Sequence, residues 1–341
     1  MRDFCGGISF PHSYLAVDLF FVMSGFVISS AYDKNLVSGK LSIPSFLKIR
    51  AIRLYPLYAL ALIFALGGNI LQTALEALGL HHFKSHQGHF SWVDLSLQLL
   101  FGVLLVPCPI PRSNVVLFPL NLTSWSVFLE VIVNWFYATY RKWLTNNVCY
   151  VVLGLSGAAL GISVMLAGDL DVGSSWGNGL GGFPRVFYSF TAGLLIARIR
   201  ETLPFATRFT NLGTLLMLSF VVILLGTAIT GYTQLYDLVV VLLIFPALVL
   251  ASSFVEPSLD SKCANIYGAM GQASYGIYIL QISVIWICSF IFVKYSNTTM
   301  MPGVLTIIIL VAASLLIDRY YDQPVRRWLK AKYLTPALSS R

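Results

Sequence analysis

Residues 14–31 read Tyr-Leu-Ala-Val-Asp-Leu-Phe-Phe-Val-Met-Ser-Gly-Phe-Val-Ile-Ser-Ser-Ala, with Asp18 the one charged side chain in the run. A helix of this composition has no polar face to offer to water. In hydrocarbon it comes close to the roughly 20 residues that a spanning helix needs. The same texture recurs near 52–70, 92–106, 121–140, 148–167, 183–199, 211–230, 236–254, 273–293 and 303–321. Of the 341 residues 57% are hydrophobic and 11% charged, whereas soluble domains carry about 25% charged residues. Too few polar side chains exist to cover a water-facing surface, so the apolar excess must face lipid. The expected fold is all-α, a polytopic transmembrane helical bundle of about nine to ten membrane segments. No separate soluble domain, internal repeat or low-complexity tract interrupts it.

The net charge of +8 does not point to nucleic acid, because no basic face with interleaved aromatics is present. The basic residues stand in short runs between apolar stretches, which is how membrane proteins fix their orientation. Lys34, Lys40, Lys48, Arg50 and Arg53 mark 34–53 as cytoplasmic. The pair Arg141 and Lys142, the group Arg198, Arg200 and Arg208, and the tail with Arg326, Arg327, Lys330 and Lys332 mark three more such stretches. Ten crossings would place Arg141 and Lys142 outside. The conflict disappears if 92–106 does not cross. That run is short for a crossing and leads into Pro107, Pro109 and Pro111, so it is expected to be interfacial or re-entrant. Nine crossings result, with the N-terminus outside and the C-terminus inside.

Cys5, Cys108, Cys149, Cys263 and Cys288 are scattered without a CxxC pair and read as small apolar fillers. The opening Met1-Arg2-Asp3-Phe4-Cys5-Gly6-Gly7 lacks the apolar core of a cleavable signal. Loop residues His81, His82, His86 and His89 come without an HExxH signature and read as an exposed loop. No metal is expected. Ser24-Gly25 does not fit the G-x-S-x-G elbow and reads as a close helix contact through small residues. Neither a P-loop nor a dinucleotide fingerprint occurs.

Five ionisable residues lie in or at the edges of the apolar runs: Asp18, Arg50, Arg53, Glu130 and Arg185. A charge at the bilayer centre costs on the order of 3 kcal/mol even on the lenient insertion scale. Such residues persist where they face the bundle interior and meet a partner or substrate. For Asp18 the two compatible readings are an ion pair with Arg50 or Arg53 and a carboxylate in a reaction chamber. Arg50 and Arg53 share one helical face, either as a cytoplasmic anchor or as a phosphate-binding fork. Glu130 follows Thr123, Trp125 and Ser126 on helical spacing. Together they form a polar stripe that serves either as interhelical glue or as part of a site.

These residues carry a family resemblance. Tyr14-Leu15-Ala16-Val17-Asp18-Leu19-Phe20-Phe21-Val22-Met23-Ser24-Gly25-Phe26 resembles the second helix of the integral membrane acyltransferase family 3. Phe46, Arg50, Arg53, Leu54, Tyr55 and Pro56 are similar to the basic start of its third helix. Trp125-Ser126 with Glu130 resembles its tryptophan-serine-glutamate helix, and Arg185 with Phe190 and Gly193 a later one. Ser274-Tyr275-Gly276-Ile277-Tyr278 and Tyr321-Asp322-Gln323-Pro324 resemble its serine-tyrosine helix and its acidic-x-proline ending. Six weak matches in the right order make a strong one.

The resemblance implies a single membrane acyltransferase domain over 1–341 that transfers an acyl group, commonly acetyl, to an envelope or exported carbohydrate. Acyl-CoA (acetyl-CoA) is the implied co-substrate, with no bound cofactor. The implied partners are the lipid bilayer and a carbohydrate acceptor, and the implied location is a bacterial inner membrane with a cytoplasmic C-terminus. Asp18 and Glu130 are the implied catalytic carboxylates, either of which could orient the histidine base that the family carries on its first helix. Arg50, Arg53, Trp125, Ser126, Arg185 and Tyr278 are the implied substrate-binding set. The family also has about ten helices with both ends cytoplasmic, the first carrying an arginine and a histidine with ten residues between them. This chain is expected to start after that helix. Arg2 and His12 have nine residues between them, but Cys5-Gly6-Gly7 and Pro11 make a poor spanning helix. Gln281 stands where a histidine usually follows the serine-tyrosine motif, and Asp322 takes a glutamate's place. Two rival functions follow: a catalytically silent truncated member, and a glycolipid transporter or flippase with Asp18, Glu130 and Arg185 as its polar path.

Overall fold

The computed structural model describes residues 12–77, 92–109, 116–203, 233–254, 262–292 and 301–334. Ten helices are labelled here in chain order. They are α1 (Ala16–Val37), α2 (Ile43–Ala77), α3 (Trp92–Val103), α4 (Ser124–Tyr140), α5 (Asn146–Ala167) and α6 (Gly182–Thr202). Then come α7 (Thr233–Ser253), α8 (Lys262–Phe292), α9 (Met301–Ile317) and α10 (Gln323–Tyr333). Among the described residues no strand forms, and seven helices are long and apolar enough to cross a membrane. The chain is an all-α polytopic bundle and an integral membrane protein. Its outward side chains are those of a lipid-facing surface: Leu155, Met165 and Leu166 are 69%, 78% and 84% exposed.

Several helices outrun their apolar stretches. Helix α2 starts at Ile43, nine residues before the apolar run at 52, and α8 starts at Lys262. Basic and polar residues continue these helices because nothing there breaks the backbone ladder. The run 211–230 and the histidine-rich loop fall outside the described residues.

The non-crossing expectation for 92–106 matches α3. Its 12 residues rise about 18 Å, well short of a hydrocarbon core of about 30 Å. Tyr58 and Tyr55 donate to the Gly102 and Val103 carbonyls, at 2.6 and 2.8 Å. The Gly102 carbonyl also accepts from the Leu105 amide at 2.9 Å, so the helix-end acceptors are satisfied in an apolar medium. The chain then passes through Leu105 in a left-handed conformation, φ 51°. Leu117 donates to Ser174, fastening this connection to the loop between α5 and α6.

Backbone defects are repaired in the same way. Pro246 lies inside α7, just after a π turn at Val240–Ile244. Proline has no N–H, so the carbonyl four residues back loses its helical donor. That carbonyl belongs to Leu242, and the Tyr188 hydroxyl donates to it at 2.8 Å. A second π turn, Asp318–Asp322, precedes Pro324 between α9 and α10.

Helices α1 and α6 meet backbone to backbone. A Cβ on Gly25 would sit 2.1 Å from the Phe190 carbonyl oxygen, and one on Gly193 would sit 2.1 Å from that of Val22. The small-residue reading of Gly25 therefore holds. The contact also fixes the rotation of α1, so that Ser24, one residue away and about 100° around the helix, faces α4. Cys108, Cys149 and Cys288 are buried, and Arg198 Nη1 donates to the Cys149 sulfur at 3.6 Å.

Candidate active site

Two of the charged assemblies inside the bundle hold Asp18 and Glu130, and α1 contributes to both. In the first, Asp18 and Arg185 are both 0% exposed. Arg185 donates through Nε and Nη2 to the two Asp18 oxygens, at 3.1 and 2.6 Å. Its remaining bonds go to the Val172 and Tyr14 carbonyls, at 2.7 and 2.9 Å. Trp125 presents its ring 5.3 Å from the guanidinium carbon. The partner of Asp18 is thus Arg185, which corrects the expected pairing with Arg50 or Arg53. The reason is positional: Asp18 lies in the first turn of α1 and Arg185 in the first turn of α6. The glycine contact packs these two helices together.

Beside this pair lies the loop 168–181. Gly173 adopts φ 110°, and a Cβ there would come 2.8 Å from the Trp125 ring. The glycine lets the loop press onto the indole. Burial pushes the Asp171 carboxyl up from its ordinary value. The Arg185 charge opposes that rise, and Asp169 and Asp237 add to it.

The second assembly centres on Glu130, 1% exposed. Its Oε1 accepts from Ser24 Oγ at 2.5 Å, Arg50 Nη2 at 2.7 Å and Asn134 Nδ2 at 3.2 Å. Its Oε2 is buried and has no partner, and so is the Nε of Arg50. An acceptor and a donor therefore lie unused at one ion pair inside an apolar bundle. Leaving such groups unsatisfied costs about 1–3 kcal/mol each, more when charged, and a site that awaits a ligand tolerates that cost.

One turn before Glu130, Ser126 Oγ lies 2.6 Å from the Tyr278 hydroxyl and donates to the Thr123 carbonyl at 3.0 Å. Tyr278 stacks near Phe20, with ring centroids 6.4 Å apart. The stripe Thr123, Ser126 and Glu130 faces one way as read from the sequence, and Asn134 extends it by a further turn. Arg53 stands apart from Glu130, its guanidinium carbon 5.8 Å from the Tyr275 ring centre. Near it, Arg326 donates to Asp318 at 2.8 Å and pairs with Asp322.

A third group was missed in the sequence. Asp237, 0% exposed, accepts from His12 Nδ1 at 2.9 Å, Tyr14 at 2.6 Å and the Leu170 amide at 3.2 Å. The rule that singled out Asp18, an acid at the edge of an apolar run, applies equally to Asp237. His12 precedes a short 3-10 turn, Ser13–Leu15, and the stretch from Arg2 to Pro11 lies outside the described residues. Among the described residues no group of three or more His, Cys, Asp or Glu gathers to hold a metal.

Comparison with known proteins agrees with this architecture. A family model described as an acyltransferase domain matches residues 6–319. A Rhizobium radiobacter protein described as Protein 2 in picA locus is 38% identical over 158 residues, which cover 43% of this chain and 76% of that protein. No solved structure matches the chain. The family match spans nearly the whole bundle, including every helix that supplies Asp18, Ser24, Arg50, Glu130, Arg185 and Tyr278, and the chain therefore belongs to the integral membrane acyltransferase family 3, as an acyltransferase of groups other than amino-acyl groups.

Proposed function

We propose that the chain transfers an acyl group, most simply acetyl, from acyl-CoA to a hydroxyl of a cell-envelope or exported carbohydrate. The observation that carries this reading is the pair of unused atoms at Arg50 and Glu130. O-acyl transfer needs an acceptor for the attacking hydroxyl's proton and a donor for the thioester oxygen as charge builds there. Glu130 Oε2 is the acceptor, and Arg50 Nε–H is the donor. In the net reaction the hydroxyl oxygen becomes bonded to the acyl carbon, the carbon–sulfur bond breaks, and the hydroxyl's proton ends on the departing thiol by way of Glu130.

Other residues hold the substrates and the frame. Ser126 and Tyr278 offer hydroxyls one turn from Glu130 for the acceptor or the pantetheine amides. Arg53 is within electrostatic reach of Arg50 and Arg326 and belongs to the basic end of the bundle. That end faces the nucleotide of an acyl-CoA supplied from the cytoplasm, with the C-terminus on the same side of a bacterial inner membrane. Asp18 acts with Arg185 and Trp125 as the wall of the chamber. Their mutual bonds support transfer over transport, because a polar path would need both groups free to rearrange.

The test is to incubate membranes carrying the chain with radiolabelled acetyl-CoA and envelope glycan fractions. Base-labile label should enter one glycan fraction, and Glu130→Gln should lower it by at least about 10²-fold. Absence of label from every fraction overturns the proposal.

A further inference from the structure

Ser24 is the hydroxyl of this centre that the transfer step above leaves without a part. It is half-buried on α1, and its hydroxyl donates directly to Glu130 Oε1, which also receives Arg50 and Asn134. The α1–α6 backbone contact at Gly25 and Gly193 sets its direction, so it is held toward α4. A hydroxyl on a carboxylate, beside a guanidinium with a free N–H, is the arrangement of an activated nucleophile with its base and oxyanion donor.

We infer that Ser24 carries the acyl group covalently between donor and acceptor, a deepening that rests on the acyl-transfer reading above. In the first half-reaction the Ser24 proton moves to Glu130, Oγ bonds to the thioester carbonyl carbon, and the carbon–sulfur bond breaks. The thiolate leaves with the proton from Glu130 as free CoA thiol. In the second, the acceptor hydroxyl gives its proton to Glu130, and its oxygen attacks the Ser24 ester. Ser24 Oγ then leaves and is reprotonated. The two carboxylate oxygens divide the work, Oε1 facing Ser24 and the unpartnered Oε2 serving the incoming hydroxyl. Such a relay removes any need for donor and acceptor to occupy the bundle together.

The full chain, purified in lipid nanodiscs, is mixed with radiolabelled acetyl-CoA without acceptor. Expected are a burst of free CoA thiol stoichiometric with protein and label that survives denaturation and maps to the peptide containing Ser24. Ser24→Ala should lose burst and label and should lower glycan transfer by at least about 10²-fold. Ser24→Cys should keep the label in a form that neutral hydroxylamine removes, a thioester signature that a merely structural serine would not produce. Transfer to glycan without burst or protein-bound label overturns the covalent relay and leaves acyl transfer standing. Labelled Ser24 with no glycan fraction labelled supports the relay and overturns the carbohydrate acceptor. Neither label overturns both.

Discussion

Glu130 gathers three donors on one oxygen and leaves the other bare, and Arg50 is bound through one terminal nitrogen with its Nε unused. The geometry makes the guanidinium fork, rather than the charge alone, the working feature of Arg50. Arg50→Lys keeps the charge but has no second nitrogen fixed in the same plane. It should lower kcat about 10-fold or more with a smaller change in KM, measured by steady-state acetyl transfer. Asp18 and Arg185 predict the opposite behaviour. Both are fully buried, so removing one partner strands the other charge at a cost of about 3–5 kcal/mol. Asp18→Asn or Arg185→Gln should lower the melting temperature in detergent sharply, and the double variant should recover much of the loss. Equal losses in single and double variants would refute the coupling. The stripe Thr123, Ser126 and Glu130 was legible because helical spacing alone fixes it. Asn134 was within reach of the same rule. The partner of Asp18 was not legible, because three arginines were available and only packing chooses between them.

At the scale of elements, the α1–α6 contact sets the position of the site. Both close approaches are to backbone oxygens, which cannot swing aside as a side chain would. Gly25→Ala should therefore separate the helices, turn Ser24 away from Glu130 and abolish acyl transfer, with a clear fall in melting temperature. Gly154 on α5 meets nothing within 4 Å, so Gly154→Ala should leave both unchanged. If Gly25→Ala behaves like Gly154→Ala, the contact does not set the site. The segments themselves were readable from apolar runs and their lengths. Their ends were less so: α2 starts at Ile43, well before its apolar run, and the π turn before Pro246 leaves the Leu242 carbonyl to Tyr188, supplied by another helix.

At the scale of the whole molecule, α3 decides the topology. If α3 dips without crossing and the 17-residue α4 spans, α2 and α4 are the two crossings between Lys40 and Lys142, and both residues lie on one face. In a background without the five native cysteines, single cysteines at Lys40 and Lys142 should react with an impermeant maleimide from the same side of oriented vesicles. Labelling from opposite sides would make α3 a crossing. The sequence by itself determined the solvent of this protein, its class and the inward-facing charges. Hydrophobic run length, scarcity of charge and helical period are local properties that need no coordinates. Only the tertiary structure decided that Asp18 belongs to Arg185 and that Ser24, Arg50 and Glu130 share one centre. Those meetings join residues 24, 50 and 130 across three helices, and they follow from how glycine-lined backbones and buried charges pack, which no linear spacing encodes.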